Sequence, residues 1–116
     1  MAAIDLSTVT LVPFVHSQAS VPVTWQEVKL PNWTCRVTVV SSAAAWVTVP
    51  NAETPADGGS VGTHKVGIPS DSGAVFVIRG PDNKPVIPGL TYATSIFVAA
   101  QSGTATISIS LEAGRQ

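Results

Sequence analysis

The sequence predicts an all-β domain: an antiparallel β-sandwich of about eight short strands, in jelly-roll or Greek-key style, with residues 1–116 forming a single domain. The chain contains 17 Val, 7 Ile and 12 Thr, and these β-branched side chains pack well on a pleated surface. Several segments alternate apolar and polar residues, whereas no window repeats apolar residues at helical spacing over three turns. Nine Gly and nine Pro are spread along the chain and divide it into short segments.

Each predicted strand is bounded by such turn residues. The predicted strands cover residues 4–15, 21–30, 34–40, 44–49, 62–68, 74–79, 92–100 and 103–111. Pro13 and Pro22 lack the N–H group that a sheet ladder needs, so we expect their strands to be edge strands or to end there. Residues 50–61 are expected to form an irregular excursion between strands.

The last two predicted strands show the clearest pattern. Between residues 103 and 111, apolar Ala105, Ile107, Ile109 and Leu111 alternate with Thr and Ser, which predicts one buried and one outward face. Residues 92–100 alternate in the same way. The short loop that joins the two segments ends in glycine, which favours an antiparallel hairpin.

Residues able to carry chemistry are few and scattered. Cys35 is the only cysteine, which excludes an intrachain disulfide, and we expect it to be a small buried apolar residue. His16 and His64 lie in no nucleophile motif, and no spacing of His, Cys or acidic residues matches a metal site. We therefore expect a protein that is not an enzyme, with no catalytic residue, metal or cofactor.

Charge is unusually scarce. Only 11% of residues are charged and the net charge is −1, which argues against a nucleic-acid partner. Proline and alternating Ser/Thr interrupt the two longest uncharged stretches, so no membrane span is expected. The first residues lack the pattern of a signal peptide, which favours synthesis in the cytoplasm. Because soluble domains usually carry about 25–35% charged residues on their surface, we expect other copies or a host surface to cover much of this exterior.

Four residues are candidates for that interface. Ile4 and Leu6 belong to an N-terminal stretch, residues 1–10, that could act as an arm, and residues 112–116 could form a C-terminal tail. Trp25 and Trp33 fit either of two roles, filling the core or forming an aromatic platform. Trp33 follows Pro31 and Asn32 at a predicted turn, so it is the tryptophan expected to be most exposed.

The last third of the chain resembles small tailed-phage virion proteins. The resemblance lies in the segment Pro88 to Tyr92 and in the Gly-Thr-Ala-Thr-Ile-Ser-Ile strand that begins at Gly103. Capsid decoration (cement) proteins share this style. The resemblance implies a virion protein on the outer capsid surface that stabilises capsomer junctions. It also implies the major capsid protein as partner and a homotrimer as the assembly.

A second function stays open at this point. A β-sandwich with exposed tryptophans could be a carbohydrate- or receptor-binding module of a phage fibre or extracellular protein, with Trp33 or Trp25 stacking on the ligand. Other assembly proteins, such as tail or baseplate parts, also fit the composition. A small enzyme is the least favoured class because the sequence offers no nucleophile, metal or acid–base set.

Overall fold

The alternating segments fold into two packed β-sheets. The computed structural model describes residues 4–10, 13–49, 59–78 and 95–113, and within them it contains nine strands and no helix. The strands are β1 Ile4–Asp5, β2 Phe14–Val21, β3 Gln26–Lys29, β4 Thr34–Ser41, β5 Ala45–Thr48, β6 Val66–Ile68, β7 Ser72–Val77, β8 Ser95–Ala100 and β9 Ala105–Ala113. No helix in the described ranges is long and apolar enough to cross a membrane.

The strand order is that of a jelly roll. One sheet has the order β1-β3-β8-β5-β6 and the other has the order β2-β9-β4-β7. The antiparallel pairs are nested: β2 pairs with β9, β3 with β8, β4 with β7 and β5 with β6. This is the pattern of one long hairpin rolled into a sandwich. The structure thus confirms the predicted all-β antiparallel sandwich. Among the strands described, β1 alone pairs in parallel, with β3.

The core lies between the two sheets. The predicted inward face of β9 is confirmed, since Ala105, Ile107, Ile109 and Leu111 are all buried. These residues join the inner residues of β4, β5 and β8 in one apolar cluster. Burial of apolar surface is the main favourable term for such a fold. Cys35 is buried, as expected.

The predicted hairpin between the last two strands is wrong. β8 pairs with β3 and β5 in the five-stranded sheet, whereas β9 pairs with β2 and β4 in the other. The connecting loop therefore crosses from one sheet to the other. Gly103 has a positive φ of 60°, which glycine accepts without steric cost, and the Gln101 amide N–H donates to the Ala44 carbonyl. A glycine-ended loop suits a crossing between sheets as well as a hairpin.

The N-terminal region also differs from the prediction. The single strand expected over residues 4–15 is divided into β1 and β2, which lie in different sheets. β2 begins just after Pro13, ends just before Pro22 and is an edge strand, although most of it lies between the two predicted strands. Pro22 precedes β3, which is not an edge strand because it lies between β1 and β8. The strand expected over residues 21–30 is confined to β3.

The expected arms are partly inside the fold. Residues 4–10 dock on the five-stranded sheet, and the Leu6 amide N–H donates to the Lys29 carbonyl at 2.9 Å. β9 continues through Ala113, so the expected tail from residue 112 starts within a strand. Most of the irregular excursion over residues 50–61 and the whole segment from Pro88 to Tyr92 lie outside the described residues.

Candidate docking face

The outer surface of the four-stranded sheet is built from valine, serine and threonine. Because side chains alternate across a strand, every second residue of its four strands points away from the core. We call this surface the valine face, and it consists of Val15, Ser17, Thr38, Val40, Val75, Val77, Ser108 and Ser110. One row of it, running across all four strands, is Val15, Ser110, Thr38 and Val75.

Large apolar side chains are concentrated on this face. Val15 is 64% exposed, Val40 43%, Val75 57% and Val77 72%. Among the described residues, these are four of the six exposed large hydrophobic side chains. Val40, Val75 and Val77 lie near one another on β4 and β7, whereas Ser110 and Thr38 separate Val15 from Val75. A concentration of exposed apolar side chains on one sheet face is typical of a surface that another molecule covers.

The valine face is electrically neutral. In the four strands beneath it, the only Lys, Arg, Asp or Glu residues are Arg36 and Glu112, which are neighbours across β4 and β9 at one end of the face. Arg36 Nη1 lies 3.6 Å from Glu112 Oε2, and both side chains are about half exposed. A pair this exposed contributes at most about 1 kcal/mol to stability. Its two charges cancel, so a partner would meet a surface with almost no charge to desolvate.

The outer surface of the five-stranded sheet is covered over its central strand, β8. The sequence predicted one outward face for β8, but all six residues of that strand are buried. On its outer side, Phe97 and Ala99 pack with fully buried Trp25, and Trp46 and Val61 close the cluster. The difference between a covered sheet and an open one marks the valine face as the candidate site.

Two polar contacts hold Trp25 and Trp46, the two tryptophans that cover β8, in place. The Trp25 amide N–H donates to the Gly59 carbonyl at 2.7 Å, which ties the start of β3 to residues 59–61. The Lys65 ammonium group lies 4.6 Å from the centre of the Trp46 ring, a cation–π contact. The tryptophans on this side of the molecule therefore take part in internal packing.

The candidate interface residues are not on the valine face, and two of them are inside the fold. Trp25 has no exposed surface and Leu6 is buried in the main core, so neither offers a surface to a partner in this conformation. An interface at these two residues stays a prediction; in this fold Trp25 packs against Phe97 and Ala99 of β8, and Leu6 packs in the main core. Ile4 and Trp33 are partly buried against the same core.

Trp33 binds the N-terminal segment, residues 4–10, to the rest of the fold. Its indole N–H donates to the Val9 carbonyl at 2.7 Å, and its ring packs against the main core. The ring thereby holds residues 4–10 on the sheet. Trp33 is less exposed than a turn position predicted, and the polar atom that a sugar ligand would use is already bonded.

A carboxylate fixes the chain just after β1, and its titration is the first test of this docking. Asp5 Oδ1 accepts hydrogen bonds from the Ser7 hydroxyl at 2.6 Å and from the Ser7 amide at 3.0 Å. These bonds, aided by Lys29, lower the pKa of Asp5. The stabilisation is therefore present above the unfolded-state pKa and is lost as pH falls through the lower folded-state pKa.

We expect an NMR titration to place the Asp5 midpoint below that of an aspartate in the unfolded chain. Ser7→Ala removes the hydroxyl donor and should move the midpoint up, whereas Ser7→Thr retains a hydroxyl and should move it less. An ordinary midpoint in the unmodified chain would contradict the hydrogen-bonded arrangement.

The histidines lie apart from each other and from the valine face. His16 Nε2 and Gln18 Oε1 are 3.1 Å apart on the inner side of β2, and His64 is exposed in the loop before β6. Within the described residues, no group of three or more His, Cys, Asp or Glu side chains could hold a metal ion.

Sequence reasoning missed the valine face, although the sequence carries a signal for it. In β4, Val39 is followed by Val40, and in β7 three large apolar residues follow each other from Val75 to Val77. A half-buried strand should alternate, so each such run places a large apolar residue on the outer side. Only the strand order shows that these outer valines belong to one surface.

Among the described residues, the surface that most needs an explanation is the neutral, partly apolar outer face of the four-stranded sheet. Jelly rolls serve many unrelated functions, so the fold alone does not assign one. Compared with known protein families, curated proteins and solved structures, the chain matches none.

Proposed function

We propose that this chain is a structural virion protein, a capsid decoration protein that docks its valine face on the outer surface of the major capsid protein and stabilises capsomer junctions. The open, neutral valine face carries this proposal, because it holds four of the six exposed large hydrophobic side chains among the described residues. Jelly-roll domains are common in viral capsids, which adds support by analogy. The composition adds more, since a chain with 11% charged residues has little to keep neighbours apart.

The proposed mechanism is multivalent burial. Fully burying a valine side chain is worth about 1.5–3 kcal/mol, and the four valines are already partly buried, so together they would add about 4–7 kcal/mol. Association costs about 4–15 kcal/mol in lost translation and rotation. A single copy would bind weakly. Many copies on a capsid lattice, held at high effective concentration, would bind stably.

The carbohydrate-binding alternative has less support. It depended on Trp25 or Trp33 as a stacking platform, and Trp25 is buried while Trp33 is bonded to Val9. Lys65 lies over the third tryptophan ring, Trp46. No described tryptophan is free of such internal packing. The homotrimer implied by the resemblance stays a prediction, and the mass of the isolated chain in solution tests it against a dimer.

The decisive experiment is co-sedimentation of the purified full chain with icosahedral particles. The particles come from the same source as the protein and are prepared so that they lack it. Val15→Asp and Val40→Asp place a charge on the valine face and should each lower the bound copies per particle at least tenfold, because an unpaired carboxylate would be buried at the contact. Val66→Asp is the matched control. Val66 is 47% exposed, a fraction similar to that of Val40, but it lies on β6 of the other sheet.

We expect Val66→Asp to bind like the unmodified chain and all three variants to melt at similar temperatures. An unmodified chain that sediments with no particle would refute the decoration function. Undiminished binding of both valine-face variants would refute the assigned surface.

A further inference from the structure

Within the part of the chain that the structure describes, strand β7 is a sheet edge with no strand on its outer side. Among the described residues it pairs only with β4, and the register runs without a shift from Ser72 to Val77. Soluble proteins usually protect such an edge with charged residues, proline or a bulge. β7 reads Ser-Gly-Ala-Val-Phe-Val and contains none of these.

The backbone direction of β7 can be assigned from one hydrogen bond. The Ile78 amide N–H donates to the Cys35 carbonyl at 2.7 Å, so the backbone groups of Ile78 point toward β4. Directions alternate along a strand, so those of Phe76 and Ala74 also point toward β4. The N–H and C=O groups of Gly73, Val75 and Val77 therefore point to the open edge.

We propose that two copies of this chain pair through β7 in an antiparallel, two-fold symmetric arrangement centred on Val75. Val75 then lies opposite Val75 of the second copy, and Gly73 lies opposite Val77. In this register, every edge-facing N–H and C=O group of the three residues finds a partner across the axis. The two four-stranded sheets become one continuous sheet of eight strands.

The side chains and the charges suit this self-pairing. Val75 and Val77 are well exposed next to the seam, and glycine opposite Val77 leaves room for its side chain. In the sequence, Asp71 precedes the strand and Arg79 follows it, so antiparallel alignment is favoured in charge over parallel alignment. A two-fold contact also closes on itself and needs no third copy. It joins the two valine faces into one larger surface.

The mass of the isolated full chain tests the pairing by sedimentation equilibrium, independently of any capsid. We expect a species of twice 11.9 kDa. Val75→Lys sets two lysines opposite each other and should leave only monomer. Val15→Lys is the control, because Val15 is equally exposed on the same face but lies on the opposite edge strand, and it should stay dimeric. An unmodified chain that is monomeric at millimolar concentration, a trimer, or a dimeric Val75→Lys variant would overturn the proposal.

Amide hydrogen exchange gives a second readout with residue resolution. In the unmodified chain, the amides of Gly73, Val75 and Val77 should be protected at high concentration and exchange rapidly on dilution. Those of Ala74 and Phe76 should be protected at both concentrations, because they bond to β4 within one copy. Rapid exchange of Gly73, Val75 and Val77 at all concentrations would exclude the pairing, even if Val75→Lys failed to fold.

Discussion

Trp25→Ala is expected to lower the free energy of unfolding by about 3–5 kcal/mol, the range found when a buried aromatic side chain is truncated in a well-packed core. Trp25 has no exposed surface, and it packs with Phe97 and Ala99 on the outer side of the five-stranded sheet. The short Ala99 side chain and the rigid Phe97 ring cannot extend into the cavity that the tryptophan would leave. Since small domains are stable by only about 5–15 kcal/mol, this single change would remove a large part of the total.

Urea denaturation followed by circular dichroism measures this loss. Trp46→Ala is the matched control, because Trp46 belongs to the same cluster but keeps part of its surface exposed. We expect the control to lose less than half as much. A loss below about 1 kcal/mol for Trp25→Ala would show that the ring does not fill the cover, and would reopen its role as a ligand platform.

The distinction matters for function, because the same residue supports two different interpretations. Removing a tryptophan that stacks on sugar is expected to lower stability little and sugar affinity greatly. Removing a tryptophan that packs inside the fold is expected to lower stability greatly and sugar affinity little. The packing of Trp25 and the hydrogen bond of Trp33 to Val9 both favour the structural role. The surface available to a partner is then the valine face, which contains no aromatic residue.

The fold class could be predicted because it depends on local pattern. The alternation of Ile107, Ile109 and Leu111 with serine identifies a buried face without any knowledge of the partner strands. The ends of β2 follow from Pro13 and Pro22 in the same local way, because proline offers no N–H group to a sheet ladder. Such local patterns predict the buried face reliably, because a one-residue error in register would expose an entire apolar face.

The partner of each strand could not be predicted, because it depends on contacts between residues far apart in sequence. β8 looks like a half-exposed strand by its alternation, yet Phe97 is covered by Trp25 and by Val61, more than thirty residues away. A loop after β8 that permits a hairpin also permits a crossing between sheets. The crossing occurs because β3 and β5 already occupy both edges of β8, which leaves no place beside it for β9. The same limit hid the candidate site, since Val15 and Val75 are sixty residues apart and meet in one row only through β9 and β4.

The two proposals make the open surface and the open edge parts of one design. The valine face would hold the chain on its partner by apolar burial, and β7 would link two such faces into one continuous sheet. Linking two weak sites raises their combined affinity without new contacts, provided that both can engage at once. Neighbouring strands of a sheet are rotated by about 20–25° relative to each other, so the eight-stranded sheet would be strongly twisted. Both faces could therefore engage at once only on a surface that follows this twist.

Ile109→Ala is expected to lower the free energy of unfolding by about 2–5 kcal/mol, the second large loss. Ile109 lies at the centre of β9, the longest strand, and is fully buried between its partners His16 in β2 and Val39 in β4. Because β9 lies between two other strands, the residues around it cannot easily move in to fill the cavity.

Ser110→Ala, at the next position, is the control for that loss. Ser110 points to the valine face, so its truncation should change stability by less than about 0.5 kcal/mol. Urea denaturation of both variants separates the inner face of the strand from the outer one. Equal losses would contradict the register of β9, because a slip by one residue would exchange the two faces. The expected difference would confirm that the serines of β9 lie on the outer surface beside Val15 and Val40, where a partner could reach them.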